Sequence, residues 1–321
     1  MLGNDTHGQS ETSLDMEVLP TVSVIIPTRN RSELVLKVVS DLKQQEYPKE
    51  KMEIIIVDQS DIFEPQLFVG EKNVKHLRVE RKGLPFARNK GAMASSGTIL
   101  VFLDDDVRIT TPQAIKAHVM NYHDPAVGAV AGRVLQSFDK PVTRLKPKHI
   151  GRIITSPLLI VTANFNWHVK QYVEGVPGGN FSVRREVFFS VGGFDTRFIG
   201  TAYFEETDFS LRVRQAGYRI IFEPLAEVRH LRWNSGGCRD HAKRREQAFY
   251  WYFHNYVYLF WKHGAKHYAP LFLGYLLARG VAYIFKYRSI RMFTYACLKG
   301  ILDGFRYTWR CHRGDVERSN R

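Results

Sequence analysis

Three consecutive carboxylates, Asp104, Asp105 and Asp106, follow the apolar run Ile99-Leu-Val-Phe-Leu103. In an extended chain Asp104 and Asp106 project to the same side, so both can converge on one hard divalent cation or on a ribose. Asp also favours helix N-caps and turns, and on these residues alone that reading stays open. A second acidic group lies in Phe204-Glu-Glu-Thr-Asp-Phe-Ser-Leu-Arg212. Written as a helix, it puts Glu205 and Asp208 on one face and pairs Asp208 with Arg212 four residues on. Glu206 then sits about 100° round from Glu205, without a partner in that set. A carboxylate at a helix start beside a cleft can act as a general base, although acidic residues favour helix N-termini in any case. His230, ending Val228-Arg-His230, is either a structural histidine or a neutral ligand completing a metal site begun by Asp106. The run Gly175-Val-Pro-Gly-Gly-Asn180 is either a turn or a loop that brings backbone N–H groups to a substrate. Neither a P-loop nor a Gly-x-Gly-x-x-Gly fingerprint occurs.

These groups need elements to hold them. Residues 22–26, 53–57 and 99–103 are short, apolar and β-branched, as buried strands are, and 75–79 is a further strand candidate, third in chain order. Helical spacing predicts helices over 32–45 and 85–95. Strands alternating with helices over the first 110 residues imply βαβ units and a mostly parallel sheet, the α/β class. Ligands collect at the C-terminal ends of such strands. Here those ends carry Thr28-Arg-Asn30, Asp58 and the triple aspartate. Further on, the pattern predicts helices over 111–122, 184–190 and 205–216 and strands over 127–134, 220–222 and 227–231. From about residue 240 the chain reads as helical, aromatic and basic.

The 321 residues carry a formal charge of +14, unevenly spread. Residues 241–321 hold 15 Lys/Arg against 4 Asp/Glu, whereas residues 1–240 hold 31 against 28. A localised basic surface suits an anionic partner. Three widely spaced cysteines with no Cys-x-x-Cys fit a reducing compartment. Residues 1–20 are acidic and contain no Lys or Arg, which predicts a disordered tail and no export signal, hence a cytoplasmic protein.

Taken in order, Val24-Ile-Ile-Pro-Thr-Arg-Asn30, Ile55-Ile-Val-Asp58, Gly83-Leu-Pro-Phe-Ala-Arg-Asn-Lys-Gly91, Phe102-Leu-Asp-Asp-Asp106, Gly178-Gly-Asn-Phe-Ser-Val-Arg184, Val191-Gly-Gly-Phe-Asp195, Glu205-Glu-Thr-Asp-Phe-Ser-Leu-Arg212 and His230 closely resemble family-2 glycosyltransferases. The resemblance covers about residues 20–235. It implies a GT-A-type, Rossmann-like sheet flanked by helices over 21–235, with a nucleotide-binding half (21–110) and an acceptor half (111–235). A C-terminal helical extension occupies 236–321. It also implies roles. Pro27, Thr28, Arg29 and Asp58 would cradle the nucleotide, Arg88 would sit near the donor or its phosphates, and Asp104 and Asp105 would approach the donor. Asp106 and His230 would hold Mn²⁺ or Mg²⁺. Gly178, Gly179 and Asn180 would line the sugar and acceptor pocket. Glu206 falls where the family keeps its catalytic base, commonly the Asp of a Glu-Asp pair, with Glu205 the lesser candidate. The implied reaction is inverting transfer from a nucleotide-diphosphate sugar to an acceptor hydroxyl on a cell-surface or lipid-linked glycan. The alternatives are a nucleotidyl or phosphoryl transferase using the same acidic cluster, and a catalytically idle scaffold.

The resemblance fades after residue 240. Residues 246–261 include nine aromatics, and 268–285 is mostly apolar but contains Pro270 and Arg279. A spanning helix needs about 20 apolar residues, and a mid-membrane Arg costs about 2.5–3.5 kcal/mol on insertion scales. The expectation is therefore a helix lying on an anionic membrane surface, on the inner face of the cell membrane. A helical cap or oligomer interface is the second expectation. No nucleic-acid module is recognised.

Overall fold

A computed structural model describes residues 19–136, 149–162, 164–233, 235–238 and 242–316. Residues 1–18 of the expected tail lie outside these. The first strands form as the apolar runs require: β1 (Val22–Thr28), β2 (Met52–Asp58), β3 (Val74–Arg78) and β4 (Ile99–Leu103). All of β1 and β4 is buried. Alternate residues feed two cores. Val24, Ile26, Ile54 and Ile56 face one, with Val38 and Leu42 of helix α1 (Ser32–Lys43); Ile25, Ile55 and Val57 face the other. A sheet covered on both faces explains why these strands read as unbroken apolar runs. Helix α2 (Leu84–Ala94) approaches β1 through Gly91, where any Cβ would strike Ile25.

The later strands are β5 (Val107–Ile109), β6 (Val127–Gln136), β9 (Gln171–Val173), β10 (Asn180–Arg184) and β11 (Arg219–His230), with a small separate hairpin of β7 (Arg152–Ile154) and β8 (Ile160–Thr162). Sheet order is β3-β2-β1-β4-β10-β6-β11-β5, with β9 added to β11. The α/β class holds, and the parallel arrangement holds through β3-β2-β1-β4. Beyond β4 the sheet is mixed: β10 runs antiparallel to both β4 and β6, and β5 and β9 run antiparallel to β11. The two strands read at 220–222 and 227–231 are one strand, bulged between Glu223 and Glu227, where Pro224 interrupts the ladder. The helix read over 111–122 is shorter, α3 (Ala114–Val119), and ends in a 3₁₀ turn.

Helices α4 (Arg185–Ser190) and α5 (Glu205–Gln215) close this layer. Five buried phenylalanines lock α4 and α5 to β4 and β10, with ring centroids 4.9 Å apart for Phe102–Phe181 and 4.8 Å for Phe194–Phe209. Truncating one such ring typically costs about 3–5 kcal/mol.

The basic C-terminal region is helical and is part of the body of the molecule. Helices α6 (Arg245–His263), α7 (Ala269–Tyr287) and α8 (Gly300–Arg313) join through a π-helical segment, Met292–Lys299. Gly304 lets α8 lie directly on α6, since its Cβ would meet the His254 carbonyl at 2.8 Å. A third core joins Phe253, Tyr256, Phe260, Phe272 and Ile301 of these helices to Phe198 and Leu211 of the sheet layer. Pro270 does not interrupt α7. It occupies the first turn, where its missing N–H and fixed φ do no harm.

Candidate active site

Strand pairing brings the distant motifs together. Asn180 of β10 lies opposite Leu103 of β4, which sets Gly178 and Gly179 against Asp104. The Gly179 carbonyl accepts the Asp104 backbone N–H at 3.3 Å. His230 of β11 lies opposite Val107, and the Asp106 carbonyl accepts the Leu231 N–H at 2.8 Å. The alternation expected of the triple aspartate holds. Asp104, Asp106 and His230 place ligand atoms within 4.8 Å of one another. The His230 Nε2 lies 3.3 Å from Asp106 and 3.8 Å from Asp104.

Asp105 points the other way. It accepts hydrogen bonds from Thr28 Oγ1 at 2.8 Å and Arg31 at 2.6 Å. Burial pushes its carboxyl up to about 7, although Arg31 opposes the rise. Arg31 also lies 3.5 Å from Asp106 and donates to the carbonyls of Ser235 and Gly236, drawing the 235–238 loop over the site. The sequence reading passed over Arg31, although its place just after the Thr28-Arg-Asn30 strand end was a signal.

On the opposite side, α5 opens with Phe204 in the left-handed region at φ +73°, a conformation costly for a bulky residue. The turn sends Glu205 inward and leaves Glu206 facing the cleft, its side chain 23% exposed. Arg88 is the hub of these charges. Its guanidinium lies 2.6 Å from Glu205, 3.5 Å from Glu206 and 3.2 Å from Asp104, and donates to the Gly178 carbonyl. Burial works against the Arg88 charge, but Glu205, Asp104 and Glu206 together hold its pKa above the ordinary value. Burial also raises both glutamates, Glu205 strongly, with Arg88 as the main opposing influence.

Two cavities meet at Asp104 and His230. The smaller, about 170 Å³, is bounded by Pro27, Thr28, Arg29 and the aspartates. The larger, about 740 Å³, holds Glu206, Gly178 and Gly179 and is closed by Tyr252, Tyr256, Tyr275 and Arg279 of the C-terminal helices. Three expected contact residues line neither cavity. Asp58 ends β2, but its oxygens engage His76 at 3.0 Å and the Ser60 N–H at 2.8 Å; Gln59 lines the smaller cavity instead. Asn180 is buried and binds His118 and the carbonyls of Arg133 and Ala226, pinning β10 to its neighbours. Arg88 stays beside Asp104 but is 1% exposed, and it reaches the cleft through the carboxylates and the Gly178 carbonyl it holds.

The profile of glycosyl transferase family 2 matches residues 23–191, just over half of the chain. The chain belongs to glycosyl transferase family 2. YdaM of Bacillus subtilis, named a probable glycosyltransferase, is 27% identical over 232 residues, covering 66% of this chain and 51% of that protein. The chain thus spans about half of that relative's length. A glucosyl-dolichyl phosphate glucuronosyltransferase of Haloferax volcanii is 27% identical over 222 residues, 65% of this chain and 68% of that one. Among solved structures, a mannosyltransferase of Pyrobaculum calidifontis in complex with GDP-Man and Mn²⁺ aligns over 94% of this chain and 78% of its own. Its TM-score is 0.56 at 19% identity, a likeness of fold. This family-2 chain therefore has the GT-A architecture, with a four-helix-segment C-terminal region closing its larger cavity.

Proposed function

We propose that this chain transfers a sugar from a nucleotide-diphosphate sugar to an acceptor hydroxyl by a single inverting displacement. One observation carries the reading: the Asp104, Asp106 and His230 cluster sits where two cavities join, with Glu206 facing it from the acceptor side. Two carboxylates and an imidazole are a donor set suited to Mn²⁺ and, through the carboxylates, to Mg²⁺. When bound there, the cation would stabilise negative charge on the leaving diphosphate. The smaller cavity takes the nucleotide against Pro27, Thr28 and Arg29. Asp105 and Arg31 hold that wall, and Gly178 and Gly179 admit the sugar because they have no side chains. Glu206 removes the acceptor proton as the hydroxyl attacks the anomeric carbon from the face opposite the nucleotide. Arg88 and Glu205 keep that carboxylate in place.

The acceptor we assign is a glycan on a lipid phosphate, supported by the glucosyl-dolichyl phosphate in one relative's name. The site of action is an anionic membrane surface, on its cytoplasmic side. Helix α7 supports this: its outward residues include Leu271, Gly274, Ala278, Val281 and Phe285, an exposed apolar stripe. The segment Lys266–Tyr287 is long and apolar enough, by length and composition, to cross a membrane, an 18-residue window within it having mean hydropathy 1.3. The half-buried Arg279 on its inner face, bound to protein, favours a helix lying in the head-group layer.

Incubation with nucleotide sugars and Mn²⁺ should release nucleoside diphosphate, and Asp106→Ala and Glu206→Gln should lower that rate at least 10³-fold. Release of pyrophosphate would indicate a nucleotidyl transferase, and no nucleotide-sugar binding an idle scaffold. Flotation with anionic liposomes should carry the chain at low salt and lose it at high salt; a chain that stays soluble at low salt counts against attachment.

A further inference from the structure

Arg279 has no role in the chemistry described above, and its surroundings are unusual for a half-buried cation. Its guanidinium donates to Tyr275 Oη at 2.7 Å and to Tyr283 Oη at 3.1 and 2.9 Å. It lies 5.2 Å from the centroid of the Tyr252 ring. Among the described residues no carboxylate pairs with it. Guanidinium has five N–H donors, and these bonds use three, so two remain for a ligand. A cation withdrawn from water and met only by neutral partners is costly unless something else compensates. Arg279 also lines the same cavity as Glu206. A continuous aromatic wall joins the two ends: Tyr252 packs on Phe204 at 5.0 Å, and Phe204 immediately precedes Glu205 and Glu206.

We propose that Arg279, with Tyr252 and Tyr275, is an anion subsite that binds the phosphate of a lipid-phosphate acceptor while the acceptor sugar lies along the aromatic wall toward Glu206. This rests on the acceptor reading above. The planar fork of arginine matches phosphate oxygens, and tyrosine faces suit the apolar faces of sugar rings. The same helix carries Leu271, Val281 and Phe285 outward. A lipid tail leaving Arg279 therefore has to travel only about one helix diameter, roughly 10–12 Å, to reach the membrane-facing stripe.

Farnesyl phosphate, farnesol and inorganic phosphate, each titrated in detergent by calorimetry, test this on the full chain. The wild type should bind farnesyl phosphate more tightly than either of the others. Arg279→Met should weaken farnesyl phosphate at least tenfold and leave farnesol unchanged, with Arg279→Lys between. Should Arg279→Met fail to fold, farnesyl phosphate should still protect Arg279 of the wild type from phenylglyoxal, read by mass spectrometry. Undiminished binding in Arg279→Met, or no protection, overturns the subsite and leaves the acceptor reading standing. Inorganic phosphate binding as tightly as farnesyl phosphate would make the ligand a free anion and overturn the lipid assignment. Absence of farnesyl phosphate binding to the wild type, with nucleotide-sugar binding intact, would sink the acceptor reading itself.

Discussion

The proposed base, Glu206, could act only when ionised, and its partly buried position makes that form harder to reach. Burial raises its pKa above the ordinary 4.5, and Arg88 limits the rise. The active form is therefore lost as pH falls through the raised value, and the acid limb of kcat should lie above pH 4.5. A rate that stays flat down to pH 4.5 would exclude Glu206 as the base. Gly178 offers a separate test of the same carboxylate. A Cβ at this position runs into the Glu206 carboxylate oxygen. Gly178→Ala should lower kcat about 10²-fold by displacing that oxygen, with the melting temperature little changed. Equal loss of kcat and of stability would show a general packing defect instead.

Strand β10 and helix α3 meet through His118, which is 1% exposed and bonds Asn180 at 3.0 Å and Ser182 at 3.1 Å. Burial lowers its pKa from 6.5 to about 4. The unfolded chain therefore binds a proton between these values that the folded chain refuses, so stability is lost as pH falls from 6.5 toward 4. The shift corresponds to about 3 kcal/mol at full extent. Urea midpoints measured at pH 7.5 and 4.5 should differ less in His118→Gln than in the wild type; an unchanged difference would remove His118 from the account. The same elements explain why Asn180 lines neither cavity. It follows two glycines and looks like loop in the sequence, but β10 begins there and turns its side chain into the sheet.

At the scale of the whole molecule, two aspartates, the half-buried Asp195 and the buried Asp208, tie the sheet layer to the C-terminal helices. Asp195 meets Lys262, Arg197 and the Tyr258 hydroxyl, at 2.8–2.9 Å. Asp208 meets Lys262 at 2.5 Å, His263 at 2.7 Å and Arg212 at 2.7 Å. Burial acts to raise both carboxyls, and their hydrogen bonds and cations more than reverse it, leaving Asp208 at about 2. Both lie in motifs that first suggested the family, and both face away from the chemistry. Asp208→Ala strips Arg212 and His263 of their carboxylate partner, leaving Lys262 only Asp195, and should cost about 3–5 kcal/mol, read from urea unfolding. A loss below 1 kcal/mol would show that α6 is held by its apolar contacts alone.

The α/β class, the parallel first half and the convergence of Asp104 with Asp106 were legible in residue order, because a period of two and an apolar run ending in carboxylates are local properties of a strand. The pairing of Asp208 with Arg212 was equally local, one turn of one helix. What lay beyond reach were partners chosen across the fold. Arg31 meets Asp105 74 residues away, and Arg88 meets Glu205 117 residues away. Asp58 turns to His76, and the basic extension proves to be a wall of the larger cavity. Periodicity specifies which side of an element a residue occupies. Sheet order and helix docking decide what stands on that side, and those depend on burial summed over the whole chain.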